Sequence, residues 1–437
     1  MSNKQIRNNL SEQSPRILVV STLDTKADEI LFLVKEIETL GANCLLLDSS
    51  VGHDSESSIN PEFTQQDVAR AAGVTVAELR SLGRGEAVAR VRPGITAIVL
   101  DLESRGAIDG AICIGGAGTH LAGPAFQKLG LDIPKLIVSP LASGSRQFEP
   151  YIGTSNIAVM HSVADISGIN RITYSIYRQA AGYIVGAAST VRGPQRISQH
   201  SNCAAASMNG NTTISVDSIR RQLAELDWEV VSFHANGVGG RAMENMIAAG
   251  EFDAVVDYTA TELAGNEIGG LMNAGPTRME IAGAAGIPQV LVPGCLDFIT
   301  CGRYDETQVE FPGHRLFRHS PELTLVRNNA DQMELLGRIY ARKINQTKGR
   351  ATVCIPTLGL SVAGAEGGPF WDPHADEVFC NTVEEQLNNE VELRLVAAHI
   401  NDTAFVEVVV EEFSRTVMTE GNNRFESIPL NLSEVSR

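Results

Sequence analysis

The first clear feature of the chain is an apolar run at residues 17–20, followed by a polar turn and by apolar residues at helical spacing. A continuous apolar run favours a strand covered on both faces, because a half-exposed strand would alternate polar and apolar positions. The helical pattern continues from Ala27 to Leu40 and ends at Gly41, a common residue just past a helix end. This stretch therefore predicts a buried strand, a turn over residues 21–26 and a helix.

The same alternation continues through the first half of the chain. Strands are predicted at residues 44–47, 111–114, 136–139 and 157–161, and a long amphipathic helix at residues 169–190. Residues 86–105 also follow a helical pattern, but Pro93 and Gly94 predict a break within it. Alternating strands and helices predict a parallel sheet with helices on both faces, and ligands of such sheets bind at the carboxyl edge.

A second series of elements follows the polar, glycine- and proline-containing run at residues 191–200, which is interpreted as a linker. Its predicted strands are residues 203–207, 229–233, 254–257, 289–292, 323–326, 351–355 and 393–398, separated by helices such as 215–226 and 331–345. The predicted fold class is α/β, with two tandem doubly wound, Rossmann-like parallel-sheet domains at residues 16–195 and 201–437. Residues 1–15 are expected to form a disordered tail, and two such domains would make a cleft.

Charge and composition narrow the possible partners of the 437-residue chain. It carries 35 Lys and Arg against 52 Asp and Glu, a formal charge of −17, which argues against general nucleic-acid binding and against an anionic membrane surface. A local basic pocket for a phosphate is compatible with that charge. The sequence has no apolar run of about 18 residues and no signal-peptide core, so we expect a cytoplasmic protein without a membrane partner.

The seven cysteines are scattered along the chain. Cys295 and Cys301 are the only close pair, and their spacing is not that of a zinc knuckle. We therefore expect structural thiols and no metal cage.

Polar residues cluster in the turn after the first predicted strand. Thr22, Asp24 and Thr25 precede the helix, and Lys26 adds a cation at the same place. A helix amino terminus offers free backbone N–H groups and a favourable dipole to an anion, so the turn is predicted to bind one. Two oxygen acceptors beside a cation suit a phosphate that carries Mg²⁺. A lone Asp24 would be explained as a helix cap alone.

Other turns at the same predicted edge supply further ligand candidates: Asp48, Gly115, Gly116, Gly118, Thr119, Ser143 and Gly144. Asp48 follows the second strand, where it is either an acceptor for a ribose hydroxyl or a loop-capping residue. The GGAGT turn at residues 115–119 allows close backbone approach to a ligand, or it is a tight turn that needs glycine for packing. The sequence contains neither the strict dinucleotide fingerprint nor a Walker motif.

The second half repeats this arrangement in HANGVGGR, residues 234–241. Gly237, Gly239 and Gly240, with Arg241, are predicted to hold an anionic group. His234 lies at a strand end beside this loop and is the candidate general acid or base. The alternative for His234 is a hydrogen-bonded structural residue.

Carboxylates follow the neighbouring strands of the second half. Asp257 and Glu262 flank the end of one strand, and Asp297 follows another. Carboxylates in such positions hold a divalent ion or act as a base, so Asp257 and Glu262 join His234 as catalytic candidates. They are equally explained as helix caps or as ion-pair partners of Arg278.

Four motifs carry a resemblance to a known family. They are STLDTK at residues 21–26, CIGGAGT at 113–119, HANGVGGRAME at 234–244 and GGPFWDPHAD at 367–376. Together they resemble the ATP-binding family typified by the N-terminal domain of the tomato mosaic virus resistance protein, over about residues 16–415. The resemblance implies two α/β domains, a homodimer, and ATP in the N-terminal half. Carried over by motif, the nucleotide site would fall on Thr22, Asp24, Thr25, Lys26, Gly115, Gly116, Gly118 and Thr119.

The leading hypothesis is a cytosolic ATP-binding protein that holds Mg-ATP in its first domain and a second small molecule in the other. Neither the residues nor the resemblance assigns a reaction. One alternative is a sugar-nucleotide transferase or epimerase that works in the interdomain cleft with His234 as acid or base. Another is a regulatory partner protein that uses ATP to set its conformation.

Overall fold

A computed structural model describes residues 14–52, 59–116, 119–141, 149–191 and 202–418 of the chain. The chain forms two compact units, residues 1–197 and 198–437. Each unit is a parallel sheet with helices on both faces, which confirms two tandem Rossmann-like α/β domains.

The N-terminal domain contains a five-stranded sheet of order β2-β1-β3-β4-β5, in which every pair is parallel. The strands are β1 (Arg16–Ser21), β2 (Asn43–Asp48), β3 (Gly110–Ile114), β4 (Lys135–Ser139) and β5 (Ile157–His161). The chain moves one way from β1 to β2 and the other way to β3, so the topological switch point lies between β1 and β3. Open sheets of this kind bind ligands outside the carboxyl ends of the strands at that point.

Helices cover both faces of this sheet. They are α1 (Leu23–Thr39), α2 (Gln65–Ala71), α3 (Val76–Ser81), α4 (Arg84–Ser104), α5 (Thr119–Phe126), α6 (Glu149–Ile152) and α7 (Arg171–Val191). Ile17 and Val19 of β1 pack with α1 and α7, whereas Leu18 and Val20 pack with α4 and α5. The uninterrupted apolar run of β1 is explained by this burial on both faces.

The expected break at Pro93 and Gly94 is wrong, because α4 runs continuously from Arg84 to Ser104. A proline inside a helix costs about 3 kcal/mol, but each fully buried aliphatic side chain contributes roughly 1.5–3 kcal/mol. Val91 and Ile95 are both fully buried on this helix. A Cβ at Gly94 would lie 2.2 Å from the Val68 carbonyl oxygen, so glycine lets α4 pack directly against α2.

The C-terminal domain contains a six-stranded parallel sheet of order β14-β13-β9-β8-β6-β7. Its strands are β6 (Asn202–Met208), β7 (Trp228–His234), β8 (Ala254–Thr259), β9 (Gln289–Gly294), β13 (Ala351–Pro356) and β14 (Glu392–Val396). The helices are α8 (Thr213–Glu225), α9 (Val238–Ala248), α10 (Thr261–Glu267), α11 (Ile281–Ala285), α12 (Tyr304–Glu310), α13 (Ala330–Ile344), α14 (Pro373–Gln386) and α15 (Thr403–Val417). The switch point of this sheet lies between β6 and β8.

The strand predicted at residues 323–326 does not belong to the parallel series. It is β12 (Thr324–Arg327), the centre of a small antiparallel sheet between β10 (Phe298–Cys301) and β11 (Leu316–Arg318). A parallel partner needs a long crossover connection, whereas β11 and β12 are joined by a short loop that favours antiparallel pairing. The prediction of a parallel strand there is therefore corrected.

The described residues contain no helix long and apolar enough to cross a membrane. All seven cysteines are free thiols, and Cys113, Cys295, Cys301, Cys354 and Cys380 are buried. Burial raises the pKa of the Cys113 thiol to about 12, so that thiol stays protonated and unreactive near neutral pH.

Lys135 begins β4 with only 1% of its surface exposed. Its Nζ donates to the carbonyl oxygens of Leu129 at 3.1 Å and Gly130 at 2.6 Å. Burial lowers the pKa of this amine from 10.5 to about 8, and the charge of Glu103 opposes that shift. The folded state thus holds the Lys135 proton less tightly than the unfolded chain does.

This difference predicts a pH-dependent stability. Between the folded pKa of about 8 and the ordinary value of 10.5, the unfolded chain binds more protons at Lys135, so stability rises with pH. The free energy of unfolding of the wild type, minus that of Lys135→Met, should therefore increase across this window in denaturant titrations. Lys128→Met, at an exposed lysine of the same region, is the control and should give a flat difference. A flat difference for Lys135→Met would contradict the assignment.

Candidate functional site

A cavity of about 380 Å³ opens beside the β1 turn, next to the switch point of the N-terminal sheet. Its volume lies in the range of roughly 300–1,000 Å³ that is typical of small-molecule sites. Its lining residues are Thr22, Asp24, Thr25, Val51, Gly52, Leu79, Arg80, Leu82, Arg84, Ala87, Val88 and Leu121. The cavity therefore combines a polar side from the β1 turn with an aliphatic side from α3, α4 and α5.

Thr22, Asp24 and Thr25 form the polar side, as the sequence predicts for a ligand. Thr22 is the residue before α1, and its hydroxyl lies 3.2 Å from that of Thr25. A Cβ at Gly52 would lie 2.6 Å from Oδ2 of Asp24, so glycine at this position leaves room for the carboxylate. The Asp24 side chain is half-buried at the cavity and offers oxygen ligands to an ion or a hydroxyl.

The expectation of free backbone donors at the start of α1 needs correction. The Leu23 N–H donates to Asp48 Oδ1 at 3.2 Å, and the Asp24 N–H donates to Ser50 Oγ at 3.1 Å. The anion at this helix terminus is therefore the carboxylate of Asp48 itself. A ligand anion in the cavity would therefore not find these two N–H groups free.

Asp48 caps this loop, which is the second of its two sequence interpretations. Only 6% of its surface is exposed, and its Oδ1 accepts from the N–H and the hydroxyl of Ser50. Burial raises the pKa of Asp48, and the hydrogen bonds from Ser50 and Leu23 oppose that shift. Asp48 does not belong to the residues that line the cavity.

Lys26 turns away from the cavity lining. Its Nζ donates to the carbonyl oxygen of Ile166 in the segment after β5. Its backbone has φ −131° and ψ 20°, outside the helical region, although it lies within the first turn of α1. The structure therefore separates Lys26 from Thr22, Asp24 and Thr25.

Two arginines that line the cavity, Arg80 and Arg84, were not predicted from the sequence. Arg80 lies in the last turn of α3, where its Nε donates to the Gly52 carbonyl oxygen at 2.8 Å and its Nη2 to Gln65 Oε1 at 3.0 Å. Gln65 is itself held by the Ser50 carbonyl oxygen at 2.8 Å. Arg84 begins α4 and also lines the cavity. In the sequence, these two arginines flank the short connection between α3 and α4. No sequence pattern indicates that this connection lies beside β1.

The GGAGT turn lies between β3 and α5. The Gly115 N–H donates to the Val138 carbonyl oxygen at 3.1 Å, which ties this turn to β4. Gly116 follows it, and α5 then brings Leu121 to the cavity. Gly118, Ser143, Gly144 and the side chain of Thr119 lie outside the described residues.

The glycine loop of the C-terminal domain holds a carboxylate from the same chain. Glu262 Oε1 accepts the N–H of Gly237 at 2.6 Å and that of Gly240 at 3.0 Å. A Cβ at Gly240 would lie 1.9 Å from Glu262 Oε2, and one at Gly239 would lie 2.0 Å from the His234 carbonyl oxygen. The loop needs glycine for these close approaches, and the anion that it binds is Glu262.

Arg278 organises the carboxylates behind that loop and is fully buried. Its guanidinium makes a bidentate pair with Asp257, at 2.5 and 2.7 Å, and donates to Glu262 at 2.8 Å. Glu244 Oε1 lies 3.3 Å from Nη1 of Arg278. Burial raises the pKa of Glu244, and the charge of Arg278 opposes the shift. The contacts thus confirm the ion-pair interpretation of Asp257 and Glu262.

The remaining candidates lie apart from this cluster or at its margin. His234 is exposed at the end of β7, an edge strand of the sheet, and Arg241 lies on α9. Asp297 is fully buried, and its Oδ2 accepts from the Ser361 hydroxyl at 2.7 Å. Within the described residues, no group of three or more His, Cys, Asp or Glu is arranged to hold a metal ion.

Comparison with known proteins identifies the family. The N-terminal domain of the Uncharacterised protein family (UPF0261) matches residues 15–193, and its C-terminal domain matches residues 201–417. The chain belongs to the UPF0261 family. These matches confirm the resemblance given by the four motifs.

Relatives of the UPF0261 chain occur in bacteria and plants. A UPF0261 protein of Clostridium tetani is 35% identical over 397 residues, which cover 89% of this chain and 96% of that protein. ToMV resistance protein Tm-1(GCR237) of Solanum lycopersicum is 31% identical over 432 residues, covering 92% of this chain and 55% of the tomato protein. The solved structure of Acinetobacter baumannii MurG matches at 12% identity and a TM-score of 0.23, over 92% of this chain and 99% of that one. A likeness this weak says nothing about function.

The Arg278 cluster predicts a strong effect on stability. Arg278→Met would leave the buried carboxylates of Asp257, Glu262 and Glu244 without their cation, which costs about 3–5 kcal/mol of unfolding free energy. Denaturant titration would measure this loss. Arg338→Met is the matched control, because the pair that Arg338 makes with Glu334 is an exposed i,i+4 pair and its loss should change stability by less than about 1 kcal/mol. Equal effects of both substitutions would contradict this account.

Proposed function

We propose that the N-terminal domain binds a nucleoside triphosphate, with ATP as the reference ligand and Mg²⁺ as its ion, in the cavity beside the β1 turn. The observation that carries the proposal is the composition of this cavity. It brings two arginines, a carboxylate and two hydroxyls against an aliphatic surface at the switch point of a parallel sheet. That combination suits a ligand with a charged end and a flat, apolar end.

The arginines supply the charge complement for the phosphates. Arg80 is pre-oriented, since the Gly52 carbonyl and the Gln65 side chain already hold its guanidinium. A cation fixed before binding loses less side-chain entropy when it meets a phosphate. Arg84, at the first turn of α4, adds a second positive charge to the same cavity. The cavity thus has two positive side chains, although the chain as a whole has a formal charge of −17.

Asp24 suits an Mg²⁺ that is shared with the phosphates. Mg²⁺ in nucleotide sites takes one or two carboxylates, the phosphate oxygens and several waters, so a cage of protein ligands is not needed. The carboxylate of Asp24 is half-buried at the cavity, and the hydroxyls of Thr22 and Thr25 lie beside it. Asp24 would hold the ion, and the ion would neutralise charge on the bound phosphates.

The family resemblance supports the same proposal, since it implies ATP in the N-terminal half. Three of the residues carried over by motif, Thr22, Asp24 and Thr25, line the cavity. The proposal is one of binding and includes no reaction.

Replacing Arg80 should weaken nucleotide binding. Loss of its charged hydrogen bonds to phosphate costs about 1.5–3 kcal/mol, so Arg80→Ala should raise the Kd for Mg-ATP by roughly 10- to 100-fold in calorimetric titration. Arg90→Ala is the matched control, because Arg90 is an exposed residue of α4 outside the cavity lining. An unchanged Kd for Arg80→Ala would contradict the site.

Replacing Asp24 should remove the dependence on Mg²⁺. We expect a chelator to weaken ATP binding to the wild type, but to change the Kd of Asp24→Asn by less than about twofold, because the ion loses its protein ligand. Asp28→Asn, on the exposed side of the same helix, should retain the wild-type response to the chelator. The proposal fails if Asp24→Asn keeps the full Mg²⁺ dependence.

A further inference from the structure

We infer that the N-terminal cavity recognises the polyphosphate of its ligand and accepts different bases. Nucleoside triphosphates of all four common bases would then bind with similar affinity. The inference rests on the proposed function. It adds that the site recognises the polyphosphate and does not distinguish between bases.

The surface available to a base is aliphatic. Six of the cavity's lining residues have apolar side chains, and none of these is aromatic: Val51, Leu79, Leu82, Ala87, Val88 and Leu121. Such side chains contact the faces of any purine or pyrimidine ring. They carry no donor or acceptor that could pair with a base edge.

The backbone behind this surface is also occupied. Val88 lies within α4, where carbonyl and N–H groups pair along the helix, and the Leu79 N–H donates to the Thr75 carbonyl oxygen at 3.1 Å. At the boundaries, the Leu82 N–H donates to the Leu79 carbonyl oxygen at 3.2 Å, and the Ala87 N–H donates to the Gly83 carbonyl oxygen at 3.0 Å. Main-chain groups in the interior of these helices are thus paired within the fold.

The charged residues of the cavity read features that all nucleoside triphosphates share. Under the proposed function, the phosphates and their ion are bound by Arg80, Arg84 and Asp24. An arginine plane that stacks on a base is also tolerant, because every base presents a π-face. Sites built to hydrogen-bond a particular group reject an analogue by about 10⁴-fold or more, whereas apolar pockets discriminate by only about 10- to 200-fold. The aliphatic side of the lining belongs to the second kind.

Competition titrations of the full chain test this inference. Mg-ATP, Mg-GTP, Mg-CTP and Mg-UTP should give Kd values within about tenfold of one another. Inorganic tripolyphosphate should compete with ATP, and its binding should weaken in Arg80→Ala. Adenosine should bind at least about 100-fold more weakly than ATP, because it lacks the charged end.

A substitution in the aliphatic surface of the cavity tests the same inference through the affinities of the four triphosphates. Val88→Ala trims a half-buried side chain of the aliphatic surface and should weaken all four triphosphates by one common factor of about fivefold. Val309→Ala, at a residue that is 80% exposed in the other domain, should change none of them. A preference above about 100-fold for one base, or a Val88→Ala effect confined to one base, would overturn the inference while leaving nucleotide binding intact. Failure of every triphosphate to bind would overturn the proposed function as well.

Discussion

At the start of α1, the buried carboxylate of Asp48 accepts the Leu23 N–H, while the Ser50 hydroxyl accepts the Asp24 N–H. In the other domain, the carboxylate of Glu262 accepts two N–H groups of the glycine loop, from Gly237 and Gly240. Both places are backbone sites at which a phosphate could bind. The chain fills these two places with its own side chains, so a ligand anion does not bind to these backbone N–H groups.

The carboxylates of Asp48 and Glu262 are stabilised in different ways in the two domains. Glu262 receives a buried cation, Arg278, which it shares with Asp257 and Glu244. Burial of unpaired charges costs several kcal/mol for each ion, so these groups stabilise the fold only as a set. Asp48 is held by neutral donors from Ser50 and Leu23, and burial accordingly raises its pKa. The hydrogen bonds around Ser50 also reach Gln65 and through it Arg80, which connects the β1 turn to the cation of the cavity.

Much of the fold was predictable because its signals are local. The apolar run at residues 17–20 and the helical spacing after it follow from burial on both faces of β1, and the parallel strands of both sheets were found in this way. The break expected at Pro93 was wrong because tertiary packing against α2 outweighs the local preference of proline. The strand at residues 323–326 was predicted, but its antiparallel partners β10 and β11 are four and three residues long and give little periodic signal.

The site was less predictable because its residues come from separate elements. Thr22, Asp24 and Thr25 were found from their place at a strand end, and they do line the cavity. Arg80 and Arg84 reach the same cavity only because α3 and α4 pack beside β1, a tertiary relation that no spacing in the sequence encodes. Lys26 shows the converse, since it is adjacent to this turn in sequence but donates to Ile166. The glycine loop at residues 237–240 was predicted to hold an anionic group of a ligand, and in the structure its N–H groups bind the internal carboxylate of Glu262.

Strand order alone does not explain why the cavity lies where it does. Both sheets place their first strand between the second and the third, so both have a switch point of the same kind. In the C-terminal domain, the hydroxyls of Thr212 and Thr259 lie 2.8 Å apart across that point, and Ser207 joins Asp257 at 2.6 Å. In the N-terminal domain, the corresponding turn presents Thr22 and Asp24 to a cavity whose far side is aliphatic. The topology provides two equivalent positions, and the side chains at their edges give each position its own chemistry.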